Sequence, residues 1–447
     1  MMKKQNISGW KIMVSALLMV LLSMSLASAE KKIFHGTGEY TMSDYETPAV
    51  AEQRALAYAK NNAAEQAGVY VENYTRMENM QVTEDRVNLF VNSAMVIIDA
   101  KSEKRALPSG DIHLVSSIRV EIDTAQMDRI INNRNIQNIE KMYQQNKKES
   151  VIEEEETNVL KKKIFEMKQK NMLVDDLKIR IKEKENEFLC NRKIEEVLGL
   201  WGSKRYKESL NVAEDAVRIN PKSYKAYAAR GGSYGYLGEY DNTIKDTSRA
   251  LALNDKHAWS YNARGYAYYK KGNIEEAINN YKIAISIDPK YEMPYLNWGN
   301  VYFDMKEYFM AKDVYNKILG INPKSGNAYY NLGITCYYLG TFDEAIDDMN
   351  KALSLKGEIV NDKEVHRVIG IIYCEKGDYD NAMREYNTIL SIDNKYAMAY
   401  VDIGNLYYQQ KKYEKAKSAY EEAIKLDPKN ELALKNLQMI NNERKNK

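Results

Sequence analysis

A glycine returns every 34 residues through the second half of this chain, at Gly231, Gly265, Gly299 and Gly333, and after one slip again at Gly370 and Gly404. Self-similarity at that interval rules out a single irregular core, because each unit buries its apolar face only against the next. Other residues keep fixed offsets from the glycines. Twelve residues on stand Ala277, Ala311, Ala345, Ala382 and Ala416, and nineteen on stand Ala250, Ala284, Ala352 and Ala423. Small side chains at two fixed points are what two closely crossing helices need. Twenty-four residues on, Pro289, Pro323 and Pro428 stop the second helix, since proline has no N–H to donate and its ring clashes with the preceding turn. Between the two helices, Gly238, Gly272, Gly340 and Gly377 fall where a left-handed cap is wanted, with Asn273, Thr341 and Asp378 as expected N-caps. Each unit is therefore predicted to be a helical hairpin.

The pattern resembles the tetratricopeptide repeat family, whose first helix is matched by YLNWGNVY at 295–302 and YVDIGNLY at 400–407. A degenerate unit with Ser209, Ala216 and Pro221 brings the expected total to seven repeats over residues 190–430. A last helix from residue 431 is expected to cap the stack, with Leu432, Leu434, Leu437 and Ile440 among the covering residues and 431–447 as cap and tail. The slip between Gly333 and Gly370 is assigned to an exposed loop at 356–363.

The resemblance implies a superhelix whose first helices line a concave face that holds a protein or peptide partner. The candidate groove comprises Asn297, Asn300, Asn331, Asp402 and Asn405, with Trp259, Tyr266, Tyr269, Phe303, Tyr337 and Tyr408. Asparagine both donates to and accepts from an extended backbone, and tyrosine adds contact area at low entropic cost. The best-matched stretch is the fourth and fifth repeats, with Asn297, Asn300 and Asn331 followed by Phe303 and Tyr337. The plainer alternative is that the same residues pack one repeat on the next, and the sequence leaves both open.

At the start of the chain, Lys3, Lys4 and Lys11 precede an apolar run at 12–26 and the small-residue site Ala27-Ser28-Ala29. Residues 1–29 thus read as a secretory signal peptide, which implies an exported protein of the periplasm, cell envelope or medium with no stable membrane span after cleavage. An uncleaved anchor is the alternative, but the run is shorter than the ~20 residues a span prefers. Cleavage takes the formal charge from +2 to −1 by removing three lysines and no acid, which leaves nucleic-acid binding without an electrostatic basis.

Residues 30–124 mix strand and helix periods. A strand is expected at 33–42, then a helix opened by Thr47-Pro48 that carries Ala51, Ala55, Ala59, Ala63 and Ala67 every four residues and ends at Gly68. Such an alanine stripe lets a helix lie close to a sheet. A strand at 69–74, a second helix at 84–93, and a hairpin of 94–106 with 112–122 complete a small α+β domain. AEQRA at 51–55, QAGVYV at 66–71 and TED at 83–85 resemble the N-terminal domain of flagellar assembly proteins of the T type and the related LPP20 lipoproteins, which are envelope proteins.

Residues 125–189 contain neither glycine nor proline and read as a charged helical linker. Leu160, Ile164, Met167, Val174, Ile181 and Phe188 approximate a heptad seam interrupted by Asn171, Lys178 and Glu185. The readings are a dimeric coiled coil that makes a homo-oligomer through 125–189, or a single helix or helical hairpin. The fold class is thus mainly α: a superhelix of helical hairpins preceded by a small α+β domain and a long helical linker.

Chemistry is hard to find. His35, His113, His257 and His366 show no metal-ligand spacing, Gly36-Thr37-Gly38 lacks the rest of a phosphate loop, and no Gly-x-Ser-x-Gly elbow occurs. No metal, no cofactor and no catalytic residue is expected. Cys190, Cys336 and Cys374 read as buried free thiols, with a Cys336–Cys374 disulfide as the alternative. The reading is a non-enzymatic interaction scaffold; a structural, self-assembling envelope component is the second.

Overall fold

The computed structural model describes residues 31–42, 46–77, 93–107, 111–123, 136–169, 175–355 and 362–445, together with 87, 90 and 91. Residues 1–30, 108–110 and 356–361, on which the expected signal peptide, the expected hairpin turn and most of the expected loop fall, lie outside the described residues. The chain divides into two compact units, Met1–Leu237 and Gly238–Lys447.

In the first unit, β1 (Lys31–Met42), β2 (Met95–Ala106) and β3 (Ile112–Asp123) form an antiparallel sheet in the order β1-β3-β2, with Lys31 opposite Asp123 and Met42 opposite Ile112. Helix α1 (Pro48–Met77) lies across β1 and β3 on its alanine stripe, all of it fully buried. Its close approach depends on Gly36 and Gly38, where an added Cβ would stand 2.0 Å from the Ala59 carbonyl oxygen and 2.3 Å from that of Ala55. The glycines are a seat for the helix.

Two expectations are corrected here. Helix α1 runs on to Met77 instead of ending at Gly68, so residues 69–74 supply no strand. A glycine costs a helix only about 1 kcal/mol, and Val71, fully buried, continues the stripe one turn past Ala67. Of the second helix expected at 84–93, the described residues 87, 90, 91 and 93 are helical.

Helices α2 (Ile136–Gln169) and α3 (Asp175–Gly202) pair as a hairpin, with Leu160 and Ile164 packed against Leu177 and Ile181. Leu160, Ile164, Ile181 and Phe188 of the seam are therefore buried inside the chain, and Met167 is half-buried against the same cluster. A cluster of ions joins this hairpin to the sheet region. Arg54 Nε lies 2.8 Å from Glu46 Oε1, Arg54 also pairs with Glu154, and Lys161 Nζ lies 3.5 Å from Glu46 Oε2. The Thr47 N–H donates to Glu185 Oε1 at 3.2 Å, and the Arg54 guanidinium stands 4.6 Å from the Phe188 ring. The C-terminal end of α3 packs on α4 (Tyr206–Ile219), and α4 on α5 (Tyr224–Tyr236).

The second unit contains α6 (Tyr240–Leu253), the pairs α7 (Ala258–Lys270) and α8 (Ile274–Ile287), α9 (Glu292–Asp304) and α10 (Tyr308–Ile321), α11 (Gly326–Tyr338) and α12 (Phe342–Ser354), α13 (Asp362–Glu375) and α14 (Tyr379–Ile392), α15 (Ala397–Gln409) and α16 (Tyr413–Leu426), and then α17 (Glu431–Lys445). Each second helix packs on its own first helix and on the next one, and the first helices α7 and α9, α11 and α13, and α13 and α15 also touch. The expected alanines are buried. The turns at Gly238, Gly272, Gly340 and Gly377 have φ of 76° to 83°, as the cap reading requires. Of the three expected N-caps, only Asp378 accepts a bond from its helix, at 3.2 Å from the Asn381 N–H.

The repeating glycine has a more specific role than close helix crossing. In five repeats it faces a large side chain sixteen residues on: Tyr281 over Gly265, Tyr315 over Gly299, Met349 over Gly333, Tyr386 over Gly370 and Tyr420 over Gly404. A Cβ at Gly299 would stand 2.3 Å from the Tyr315 ring. Helix α17 covers the last hairpin through Ala433, Leu437 and Ile440, spaced i, i+4, i+7. Leu432 and Leu434, expected among the covering residues, are exposed.

Candidate functional site

The first helices α7, α9 and α11 present a run of partly exposed rings. On α7, Tyr266 and Tyr269 lie 6.5 Å apart with Lys270 Nζ over both, and the Tyr269 hydroxyl donates to Asp304 at the end of α9. Burial and that carboxylate push the Tyr269 phenol up to about 12. On α9, Phe303 meets Tyr338 of α11 edge to face at 5.3 Å, and Tyr338 packs in turn on Tyr337 at 5.3 Å and on Tyr308 at 5.2 Å. Tyr338 keeps 54% of its surface exposed. These rings cross three successive repeats and keep apolar area open to solvent.

The candidate asparagines divide by partner. Asn300 Oδ1 accepts from the Tyr315 hydroxyl at 2.6 Å, and Asn405 Oδ1 from Tyr420 at 2.7 Å and from the Asn436 amide of α17 at 2.9 Å. Both sit one residue after a repeating glycine and satisfy the hydroxyl of the tyrosine that covers it. Where Tyr266 holds that position, the Tyr281 hydroxyl has no hydrogen-bond partner among the described residues. Asn297 Nδ2 donates to Asn262 Oδ1 at 2.9 Å, a link between neighbouring first helices. Asn300 is exposed, its carbonyl anchored and its amino group turned to no described partner. Asn331 is half-buried, and its side-chain amide makes no hydrogen bond among the described residues.

Asp402 is the one candidate that the structure removes from the surface. It is 4% exposed, and Arg367 Nε donates to its Oδ2 at 2.7 Å from the preceding repeat. Burial pushes its carboxyl up to about 6 against the pull of Arg367. Trp259 is half-buried at the start of α7 beside His257, and Tyr408 packs on Tyr413 at 5.5 Å. Tyr338, Lys270 and Asp304 join the surface although the sequence reading passed over them. The adjacent pair Tyr337-Tyr338 at the end of a first helix was the available clue.

Cys190, Cys336 and Cys374 are free thiols, which corrects the disulfide alternative. Cys374 Sγ instead lies 3.6 Å from the Tyr386 hydroxyl. Among the described residues, Cys336, Glu344 and Asp348 bring three potential metal-ligand atoms within 4.8 Å of one another. Lys312 Nζ already stands 2.6 and 2.7 Å from the two Glu344 oxygens, so a fixed ammonium balances the charge there. No helix among the described residues is long and apolar enough to cross a membrane.

Family models for the TPR repeat match residues 265–306 and 370–411, and models for the tetratricopeptide repeat match 294–325, 326–358 and 397–430. The human protein "Tetratricopeptide repeat protein 6" is 32% identical over 72 residues, covering 16% of this chain and 14% of that protein. The chain therefore spans about a seventh of the length of that curated relative. Among solved structures, the APC/C hetero-tetramer Cut9–Hcn1 aligns with a TM-score of 0.46 at 17% identity over 59% of this chain and 52% of that one. YrrB, described as a TPR protein with an unusual peptide-binding site, aligns with a TM-score of 0.35 at 26% identity over 43% of this chain and 97% of that one. A tetratricopeptide repeat protein from Parabacteroides merdae gives 0.43 at 20% identity over 56% and 98%. The chain carries tetratricopeptide repeats.

Proposed function

We propose that this protein is a non-enzymatic scaffold whose tetratricopeptide repeats hold an extended peptide segment of a partner protein along α7, α9 and α11. The observation that carries the reading is the run of rings from Tyr266 through Phe303 to Tyr338, with the amides of Asn300 and Asn331 beside it. Rings of this kind supply apolar contact at low entropic cost, while the two amides fix the register of an extended backbone. The leader-like residues 1–29 and the resemblance of the N-terminal domain to flagellar assembly proteins of the T type support placing the scaffold in the cell envelope after export. Self-association through 125–189 is the weaker reading, because Leu160, Ile164, Ile181 and Phe188 are buried within the chain.

The test is selection of peptides from a random library on residues 30–447, followed by affinity measurement. Asn331→Ala together with Tyr338→Ala should weaken a selected peptide by about 1–3 kcal/mol, roughly ten- to a hundredfold, with the circular dichroism unchanged. Binding that survives both changes, or that depends instead on Tyr408, would remove the α7–α11 surface from consideration.

A further inference from the structure

Between α1, β2, α3 and α4, within the first unit, lies a cavity of about 520 Å³. That volume falls in the range of small-molecule sites. Its walls are part apolar, with Leu56 from α1, Met95 and Val96 from β2, Leu200 from α3, and Val212 and Ile219 from α4, and part charged. The charges around it are mostly matched. Arg192 donates to Glu195 at 2.6 Å, Lys193 to Glu196 at 3.2 Å, and Arg205 Nε to Glu208 at 2.8 Å, while Lys104 takes Glu52 at 2.6 Å.

Lys60 is the exception, a lining cation with no hydrogen bond or ion pair among the described residues. Burial pushes its ammonium down, with the neighbouring Glu196 working against the shift. Two further donors that line the space are unsatisfied. Among the described residues the Ser93 hydroxyl, in a residue 3% exposed, has no hydrogen-bond partner, and neither has Arg192 Nε. A buried donor without an acceptor costs about 1–3 kcal/mol, so these two, beside the half-buried Lys60, form a set that an acceptor would complete.

We propose that this cavity binds a small singly charged anionic amphiphile of the aliphatic carboxylate class. Its head accepts from Lys60 Nζ and the Ser93 hydroxyl, and its chain lies against Leu56, Val96, Leu200 and Val212. One unmatched positive charge fits one negative charge, which disfavours a polyphosphate. Lys60 Nζ and Arg192 Nε can only donate, which disfavours a cationic or purely apolar guest. The site is independent of the peptide surface on α7–α11.

Isothermal titration of the full chain with octanoate, acetate and 1-octanol tests the assignment. Octanoate should bind saturably at one site, with acetate and 1-octanol at least tenfold weaker because each lacks one half of the recognition. Lys60→Met should weaken octanoate at least tenfold, Lys60→Arg should retain most of the affinity, and Val212→Trp, which fills the cavity, should abolish binding. The ligand series needs no variant, so the test stands even where a substitution disturbs folding. Absence of saturable octanoate binding, equal affinity for 1-octanol, or undiminished affinity in a folded Lys60→Met protein overturns the proposal.

Discussion

In residues 238–447 the large buried side chains are tyrosines laid over glycines, Tyr315 on Gly299 and Tyr420 on Gly404, whereas the sheet and hairpin region of residues 31–202 buries a cluster of ions, Glu46 and Arg54 with the half-buried Lys161. The first arrangement is local. Glycine and ring are sixteen residues apart in one hairpin, and the next hairpin solves the same problem again. The second gathers residues 46, 54, 161 and 185 around α1, α2 and α3, and no copy of it occurs among the described residues. Damage to a repeat should therefore stay near that repeat, while damage to the ion cluster should release a whole docking surface.

The sharpest way to break that contrast is Arg54→Met. It leaves the Glu46 carboxylate, whose side chain is fully buried, with only Lys161 at 3.5 Å, and removing one partner of a buried pair typically costs about 3–5 kcal/mol. Denaturant unfolding followed by circular dichroism should show that loss, with amide exchange in α1 rising most. A loss below about 1 kcal/mol would mean that the cluster is effectively solvated and that apolar packing alone holds α1 to the hairpin.

In the repeats, the matching change is Gly299→Ala. The new Cβ would stand 2.3 Å from the Tyr315 ring, and the ring is pinned by its hydrogen bond to Asn300. Overpacking of this kind costs about 1–3 kcal/mol, and a pinned ring belongs at the upper end. Exchange protection should fall in α9 and α10 and hold in α15 and α16. Equal loss across both pairs would make the stack a single cooperative block, and the contrast with the ion cluster would vanish.

This difference also decides what could be read in advance. Glycines, alanines and cap glycines recur, so their roles show up as offsets, and the hairpins follow from them. The tyrosine sixteen residues after the glycine recurs as well, at Tyr281, Tyr315, Tyr386 and Tyr420, but it was submerged among 35 tyrosines. With it unnoticed, the choice between groove and packing roles for Asn300 and Asn405 stayed open, although their carbonyls serve the tyrosine hydroxyls. Features that occur once left no such trace. Nothing in the sequence marks Arg54 as the centre of an ion cluster, Lys60 as the unmatched cation of a cavity, or Asp402 as the buried partner of Arg367. Gly68 misled because a cap glycine and a tolerated mid-helix glycine look alike until Val71 is seen to continue the buried stripe.

Asp402 allows the contrast to be probed by pH, since it is a one-off ion set inside a repeat. Its folded carboxyl is pushed up to about 6, above the ~3.9 of an unfolded aspartate. The folded state thus holds the proton to higher pH. The stability this confers is full below about pH 4 and is lost as pH rises through 6, with a total on the order of 3 kcal/mol. Asp402→Asn, always neutral, should lack that component, so its denaturation midpoint should change less than the parent's between pH 4.5 and 7. Parallel profiles would show that Arg367 keeps Asp402 ionised throughout.

The smallest effect tests whether the two units share one turn chemistry. Between the helices of most repeats the left-handed residue is glycine, but Lys306 takes φ 63° between α9 and α10, and Lys204 takes φ 59° between α3 and α4. A side chain in that region costs about 1–2 kcal/mol, and glycine returns roughly 0.5–1 kcal/mol of this through its freer unfolded chain. Lys306→Gly and Lys204→Gly should therefore each stabilise the protein by about 0.5–1 kcal/mol, read as a rise in denaturation midpoint at constant slope. A gain at both positions would make the α3–α4 turn energetically equivalent to those of the later hairpins, so that the regular stack begins at α3. A gain at Lys306 alone would mean that contacts particular to the first unit, and not the repeating turn, hold α3 against α4.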